Sequence, residues 1–195
     1  MNPILEFLHQ LDFSIYHFIK QYLAPESWHA FIYFFSQEES ILYAAVPAIP
    51  VILFRNWKKA LCFWAVIGFT ILLSDQSANI FKHKVDRWRP NQYKKPIEER
   101  KTDSFPSNHA TNVSAASFVI KFFYPAVKIP TFTVLFLVCY SRIYLNKHFP
   151  FDTLAGCLLG FLCAFIILKL VWKPLKKRFP RIDLKNNPKT NVEVT

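Results

Sequence analysis

A chain of 195 residues suits one domain; 52% of its residues are hydrophobic, 21 are phenylalanine and only three are glycine. That composition excludes an ordinary soluble basic protein and a loop-rich β-fold. The formal charge of +11 would suit a nucleic-acid binder, but the Lys and Arg residues cluster between and after the apolar runs, as membrane proteins distribute them, so no nucleic-acid partner is expected.

Residues 3–24 carry Leu5, Leu8, Leu11, Ile15, Phe18 and Ile19 at helical spacing, which predicts an amphipathic helix. It either lies in the membrane interface or forms part of a tilted first span. Pro25 ends it. Residues 27–35 and 39–54 are two apolar stretches around the polar run Ser36-Gln37-Glu38-Glu39-Ser40, and the basic turn Arg55-Asn56-Trp57-Lys58-Lys59 follows. Residues 60–81 read as a span whose second half turns polar at Ser74, Asp75, Gln76, Ser77 and Asn79. A long polar stretch covers 82–108. Three further helices are predicted at 109–123, 129–146 and 151–172.

The expected fold is therefore all-α: an integral membrane bundle of about six helices, most of them spanning, with an N-terminal amphipathic helix. Residues 1–172 form a single membrane-embedded domain, and 173–195 form a basic cytoplasmic tail. Cys62, Cys139, Cys157 and Cys163 all lie inside apolar runs, without the spacing of a zinc site, and read as small core residues. Gly156, Gly160 and Ala164 make a small-residue stripe expected to pack within the monomer. No removable signal peptide is visible at the N-terminus.

Orientation follows from the excess of Lys and Arg on cytoplasmic loops. Arg55, Lys58 and Lys59 mark one such loop, Lys121 and Lys128 flank another, and Lys173 to Arg181 mark the tail. These fall on one side if 60–81, 109–123, 129–146 and 151–172 each cross once. Three short polar segments then share the opposite, external face.

Those segments carry chemistry suited to phosphate. His148 and Asp152 are four apart, with Pro150 between them opening a helix. Asp152 is within reach to accept a hydrogen bond from one imidazole nitrogen, which would fix the tautomer and leave the other nitrogen to attack. Arg142 precedes them by a turn and offers a planar fork for two phosphate oxygens. In Pro106-Ser107-Asn108-His109, Ser107 or Asn108 can cap a helix whose N-terminus attracts anions, and His109 at that mouth can protonate a leaving oxygen. Lys82 and Arg89 add two cations. A zinc site from His83, His109, His148 and Asp152 is opposed by the surrounding positive charge. His83, Lys84 and Arg87 read as a solvated basic face. Asp75, seven residues before Lys82, either braces a cation or is a polar group satisfied between helices.

The string Lys82-x6-Arg89-Pro90, Pro106-Ser107-Asn108-His109, Ser141-Arg142-x5-His148-x3-Asp152 resembles the tripartite motif of the type 2 phosphatidic acid phosphatase superfamily, in its membrane lipid phosphatase branch. The resemblance spans residues 82–152. It implies that His148 is the nucleophile, forming a phosphohistidine; that Asp152 orients it; that His109 is the general acid; and that Lys82, Arg89, Ser107 and Arg142 bind the phosphate. Asn108 stands where the family usually has Gly, and its amide is expected to add a contact to substrate. Asn is one of the few residues that tolerate the positive φ which Gly permits. The implied enzyme is a metal-independent, cofactor-free lipid phosphate phosphatase of the bacterial inner membrane. Its site faces the periplasm, its substrate is undecaprenyl diphosphate or lipid A 1-phosphate, and no obligate protein partner is implied. A lipid phosphotransferase using the same site, and a non-catalytic lipid-binding or transport protein, are the competing readings.

Overall fold

The computed structural model describes residues 3–37, 57–85, 87–93, 95–96, 99 and 103–178. All regular structure among the described residues is helical. The helices are α1 (Pro3–Tyr22), α2 (His29–Ser36), α3 (Trp57–Lys82), α4 (Asn108–Phe123), α5 (Lys128–Tyr144) and α6 (Pro150–Arg178). Single 3₁₀ turns occupy Glu26–Trp28, Pro90–Gln92 and Pro125–Val127. The apolar stretch predicted at 39–54 lies outside the described residues, as does the tail beyond 178.

Helices α3, α5 and α6 supply the three segments among the described residues that are long and apolar enough to cross a bilayer, at Lys59–Lys82, Pro125–Tyr144 and Pro150–Val171. Their outward side chains confirm the environment: Phe69, Leu72, Phe136, Leu158 and Leu170 are each more than 60% exposed. Surface this apolar belongs against lipid.

Helix α4 differs. It has 16 residues and fills the centre, packed against α3, α5 and α6. Its buried face is built of Ala110, Thr111, Ser114, Ala115 and Ser117, small residues that let neighbouring backbones come close. The α6 stripe meets this face. A Cβ added at Gly156 would lie 2.6 Å from the Ser107 carbonyl oxygen, and one added at Gly160 would collide with the Thr111 carbonyl. Close packing within the monomer is thus what the stripe serves. Ser114 Oγ reinforces it by donating to the Cys157 carbonyl at 2.8 Å. At one end the bundle is sealed by Phe63, Val66 and Ile67 of α3, Val119 and Phe123 of α4, and Ala164 of α6.

The alternation of α3 to α6 brings four helix ends to the opposite pole: the C-termini of α3 and α5 and the N-termini of α4 and α6. Helix α1 docks on that pole. Tyr16 donates its hydroxyl to Asn146 Oδ1 at 2.7 Å, and Lys20 Nζ donates to the Tyr144 carbonyl at 2.8 Å. The predicted apolar stripe of α1 faces outward, with Leu8 and Phe18 exposed, while Asp12 is fully buried toward the bundle. Helix α6 continues six residues past its predicted end, to Arg178. Lys173, Lys176, Lys177 and Arg178 are good helix formers, and the helix runs on through Pro174.

Candidate active site

His148 lies in the short connection between α5 and α6. The connection is closed by backbone bonds from Lys147 and His148 N–H to the Arg142 carbonyl, at 2.9 and 3.1 Å, and Asn146 takes the left-handed conformation with φ 58°. His148 is 4% exposed. Its Nδ1 lies 2.8 Å from the Ser104 carbonyl oxygen. A carbonyl only accepts, so Nδ1 carries the proton and Nε2 carries the lone pair.

The sequence reading expected Asp152 to orient this ring directly. The nearer Asp152 oxygen instead lies 3.8 Å from Nδ1, beyond hydrogen-bond range. The carboxylate is already engaged. Its Oδ1 accepts from Arg87 at 2.6 Å, and its Oδ2 accepts from Ser104 Oγ at 2.6 Å and from the Phe149 N–H at 2.9 Å. Asp152 therefore reaches His148 through Ser104 and through its charge. Burial holds the His148 pKa below the ordinary 6.5; Asp152 pulls it up, while Arg89 and Lys82 push it further down.

The expected cations converge here. Lys82 ends α3 and donates to the Asp103 carbonyl at 2.6 Å; Arg89 donates to Asp103 Oδ2 at 2.9 Å. Both sit close enough to His148 for their charges to act on it. Arg142 is 2% exposed and donates to Ser36 Oγ at 2.5 Å and to the Ser36 carbonyl at 3.2 Å. The pKa of His109, in the first turn of α4, is pushed down from the ordinary 6.5 to about 3 by burial and then by the charges of Arg142, His148, Lys147 and Arg89, so the negative charge of a bound phosphate is what would restore its proton. Two imidazoles and three cations from five stretches of chain are thus linked by their charges at this pole.

Ser107 is the N-cap of α4 and is fully buried, its Oγ accepting from the Ala110 N–H. Its own N–H donates to the Asp152 carbonyl at 3.0 Å, which ties the α4 and α6 N-termini together. Asn108 departs from expectation in two ways. It begins α4 in ordinary helical conformation, Asn146 being the one positive-φ residue among those described, so position 108 makes no demand for glycine. Its amide also turns toward α3 and donates to Asp75 Oδ1 at 3.0 Å and Asn79 Oδ1 at 2.9 Å. Asp75 further accepts from Asn79 at 3.1 Å and Asn112 at 3.2 Å. Of its two predicted roles, this is the polar group satisfied between helices.

Arg87 is a correction. It is not a solvated basic residue: its side chain is 16% exposed, and it bridges Asp152 and Asp12 through separate guanidinium nitrogens. His83 and Lys84 are exposed, as predicted. Sequence reasoning also passed over Asp12, Ser36, Asp103 and Ser104. Asp12 gave little signal, since its helix is amphipathic and carries a second acid, Glu6. For Arg87 the signal was its place two residues before Arg89.

The family model of the PAP2 superfamily matches residues 60–176, a range holding all three polar segments. This chain belongs to the PAP2 superfamily. A lipid A 4'-phosphatase of Bacteroides thetaiotaomicron is 31% identical to this PAP2 chain over 171 residues, covering 80% of this chain and 75% of that one. An undecaprenyl-diphosphatase of Sulfolobus acidocaldarius is 29% identical over 141 residues, covering 69% and 68%. The crystal structure of a transmembrane PAP2 type phosphatidylglycerolphosphate phosphatase from Bacillus subtilis superposes with a TM-score of 0.61 at 23% identity, covering 89% of this chain and 88% of that one. At that identity the likeness speaks for the fold alone. The predicted family and the predicted all-α membrane bundle are both borne out. Helix α1, with Asp12, lies before the PAP2 match.

Proposed function

We propose that this PAP2 protein removes a terminal phosphate from a membrane lipid through a phosphohistidine at His148, without a metal, at the periplasmic face of a bacterial inner membrane. That it is a membrane lipid phosphatase follows from its family; the residue roles, side and substrate are the proposal. The observation that carries it is the His148 tautomer: Nδ1 donates to the Ser104 carbonyl, so Nε2 holds the attacking lone pair.

In this reading the lipid phosphate enters from the bilayer, and Lys82, Arg89 and Arg142 take its non-bridging oxygens, with Ser107 and the α4 N-terminus beneath. Nε2 attacks phosphorus as the bond to the leaving oxygen breaks, and His109 gives that oxygen its proton. Water then attacks the phosphohistidine, returning its proton to His109 and releasing inorganic phosphate. Charge stabilisation comes from fixed cations, so a metal is not required. Asn108 serves indirectly, holding the start of α4 against α3. The favoured substrates are undecaprenyl diphosphate and lipid A phosphates, the classes its relatives are named for.

The test is a panel of lipid phosphates and diphosphates given to purified enzyme in detergent with EDTA. Free phosphate from at least one, absent with His148→Ala, is the expected result. A phosphorylated second lipid with no free phosphate would instead make the protein a phosphotransferase.

A further inference from the structure

We propose that Arg87 and Asp12 are positioning residues of this site, through which the N-terminal helix α1 holds the Asp152 carboxylate beside His148. The proposal rests on the phosphohistidine reading above. Four observations carry it.

First, Arg87 is the one side chain among the described residues that joins both acids: Nη1 donates to Asp152 Oδ1 at 2.6 Å, and Nη2 donates to Asp12 Oδ2. Both carboxylates are fully buried, so each needs a charged partner to remain there. Second, Asp12 also reaches the helix that carries Asp152. Its Oδ1 accepts the Phe151 N–H at 2.9 Å, in the first turn of α6. Third, the guanidinium is seated 4.6 Å above the Phe149 ring, which Phe13 and Tyr16 of α1 and Tyr93 enclose at 5.2–6.1 Å. Its plane is thereby held as well as its charge.

Fourth, the bonds between Arg87, Ser104 and Asp152 close into a ring to which His148 is attached. The Arg87 carbonyl accepts the Ser104 N–H at 3.1 Å; Ser104 Oγ donates to Asp152; and the Ser104 carbonyl accepts from His148 Nδ1. Arg87 therefore fixes Ser104 through its backbone and Asp152 through its side chain. Ser104 fixes the imidazole. Asp12 competes with Asp152 for the Arg87 guanidinium and so sets how much of the Asp152 charge His148 experiences. The other groups acting on His148 are Arg89, Lys82 and His109.

The test is the pH profile of kcat/KM for the full-length enzyme, with thermal stability in detergent measured alongside. Arg87→Met leaves the Asp152 charge uncompensated, 3.8 Å from Nδ1. It should move the acidic limb up by about one pH unit, since a nearby opposite charge favours imidazolium. It should also lower kcat by about ten- to a hundredfold through loss of alignment. Asp12→Asn leaves Arg87 wholly to Asp152 and should move the limb the opposite way. Arg87→Lys keeps the charge and should hold the limb near its original place while kcat still falls. Should Arg87→Met fail to fold, the other two variants decide the question. A limb that stays put in every variant, with activity falling only as stability falls, would make the clamp merely structural and overturn the proposal. If His148→Ala retained phosphatase activity, the nucleophile assignment would fail instead, a result separable from these.

Discussion

His148 is the residue on which the chemistry turns, and its environment makes a pH prediction. Only the neutral ring has a lone pair at Nε2. Burial, Arg89 and Lys82 lower its pKa from 6.5, so the neutral form persists below that pH and is lost only on further acidification. The acidic limb of kcat/KM should accordingly lie below pH 6.5; a limb above it would mean that the Asp152 charge outweighs burial. Asp103 invites a second test. Its carboxylate holds Arg89 at 2.9 Å, and with side chains 42% and 26% exposed the pair is partly solvated. Substrate phosphate must compete for the same guanidinium. Asp103→Asn should lower KM by about two- to fivefold, the scale of an exposed ion pair, with kcat little changed; an increased KM would show that Asp103 organises Arg89 instead. The histidines and cations could be picked out in the sequence because they fall in the three polar segments with their motif neighbours intact. Asp12 could not, because its bond to Arg87 joins residues 75 apart and alone it looks like surface charge. The Ser104 carbonyl that orients His148 has no side-chain pattern to betray it.

Among the elements, the contact between α4 and α6 positions the site, since it fixes the Ser107 cap against the start of α6. The small-residue stripe was legible because its spacing is helical. The central position of α4 was less so, since a buried helix lined with Ser, Thr and Ala has little hydropathy to mark it as spanning. Gly160→Ala forces a methyl into the Thr111 carbonyl and within 2.9 Å of the Ala115 nitrogen, backbone atoms that cannot rotate away. It should cost about 1–3 kcal/mol, read as a lowered melting temperature in detergent. Gly68→Ala meets nothing within 4 Å and should be neutral or stabilising by up to about 1 kcal/mol, from helix propensity alone. Equal losses in both would mean that helix packing is not what distinguishes the two glycines.

At the scale of the whole molecule, four antiparallel helices bring residues from 82 to 152 to one pole, and α1 closes over it. The order of polar and apolar segments made that convergence readable, because alternating spans return every second end to the same face. The docking of α1 was not readable, since its exposed apolar stripe resembles that of any interfacial helix. If the catalytic pole faces the periplasm, a cysteine placed at exposed His83, in a background lacking the four native cysteines, should react with an impermeant maleimide added to spheroplasts. Labelling only after lysis would invert the orientation. The central claim is that one imidazole of this pole carries the phosphoryl group. The direct measurement is to quench the enzyme during turnover of a lipid labelled in its terminal phosphate and to analyse the protein for a phosphoryl group labile to acid and stable to alkali. The account predicts label on His148 in the wild type, accumulating with His109→Ala if water attack slows more than transfer, and none with His148→Ala. Label on another residue, or full phosphate release by His148→Ala, would contradict it.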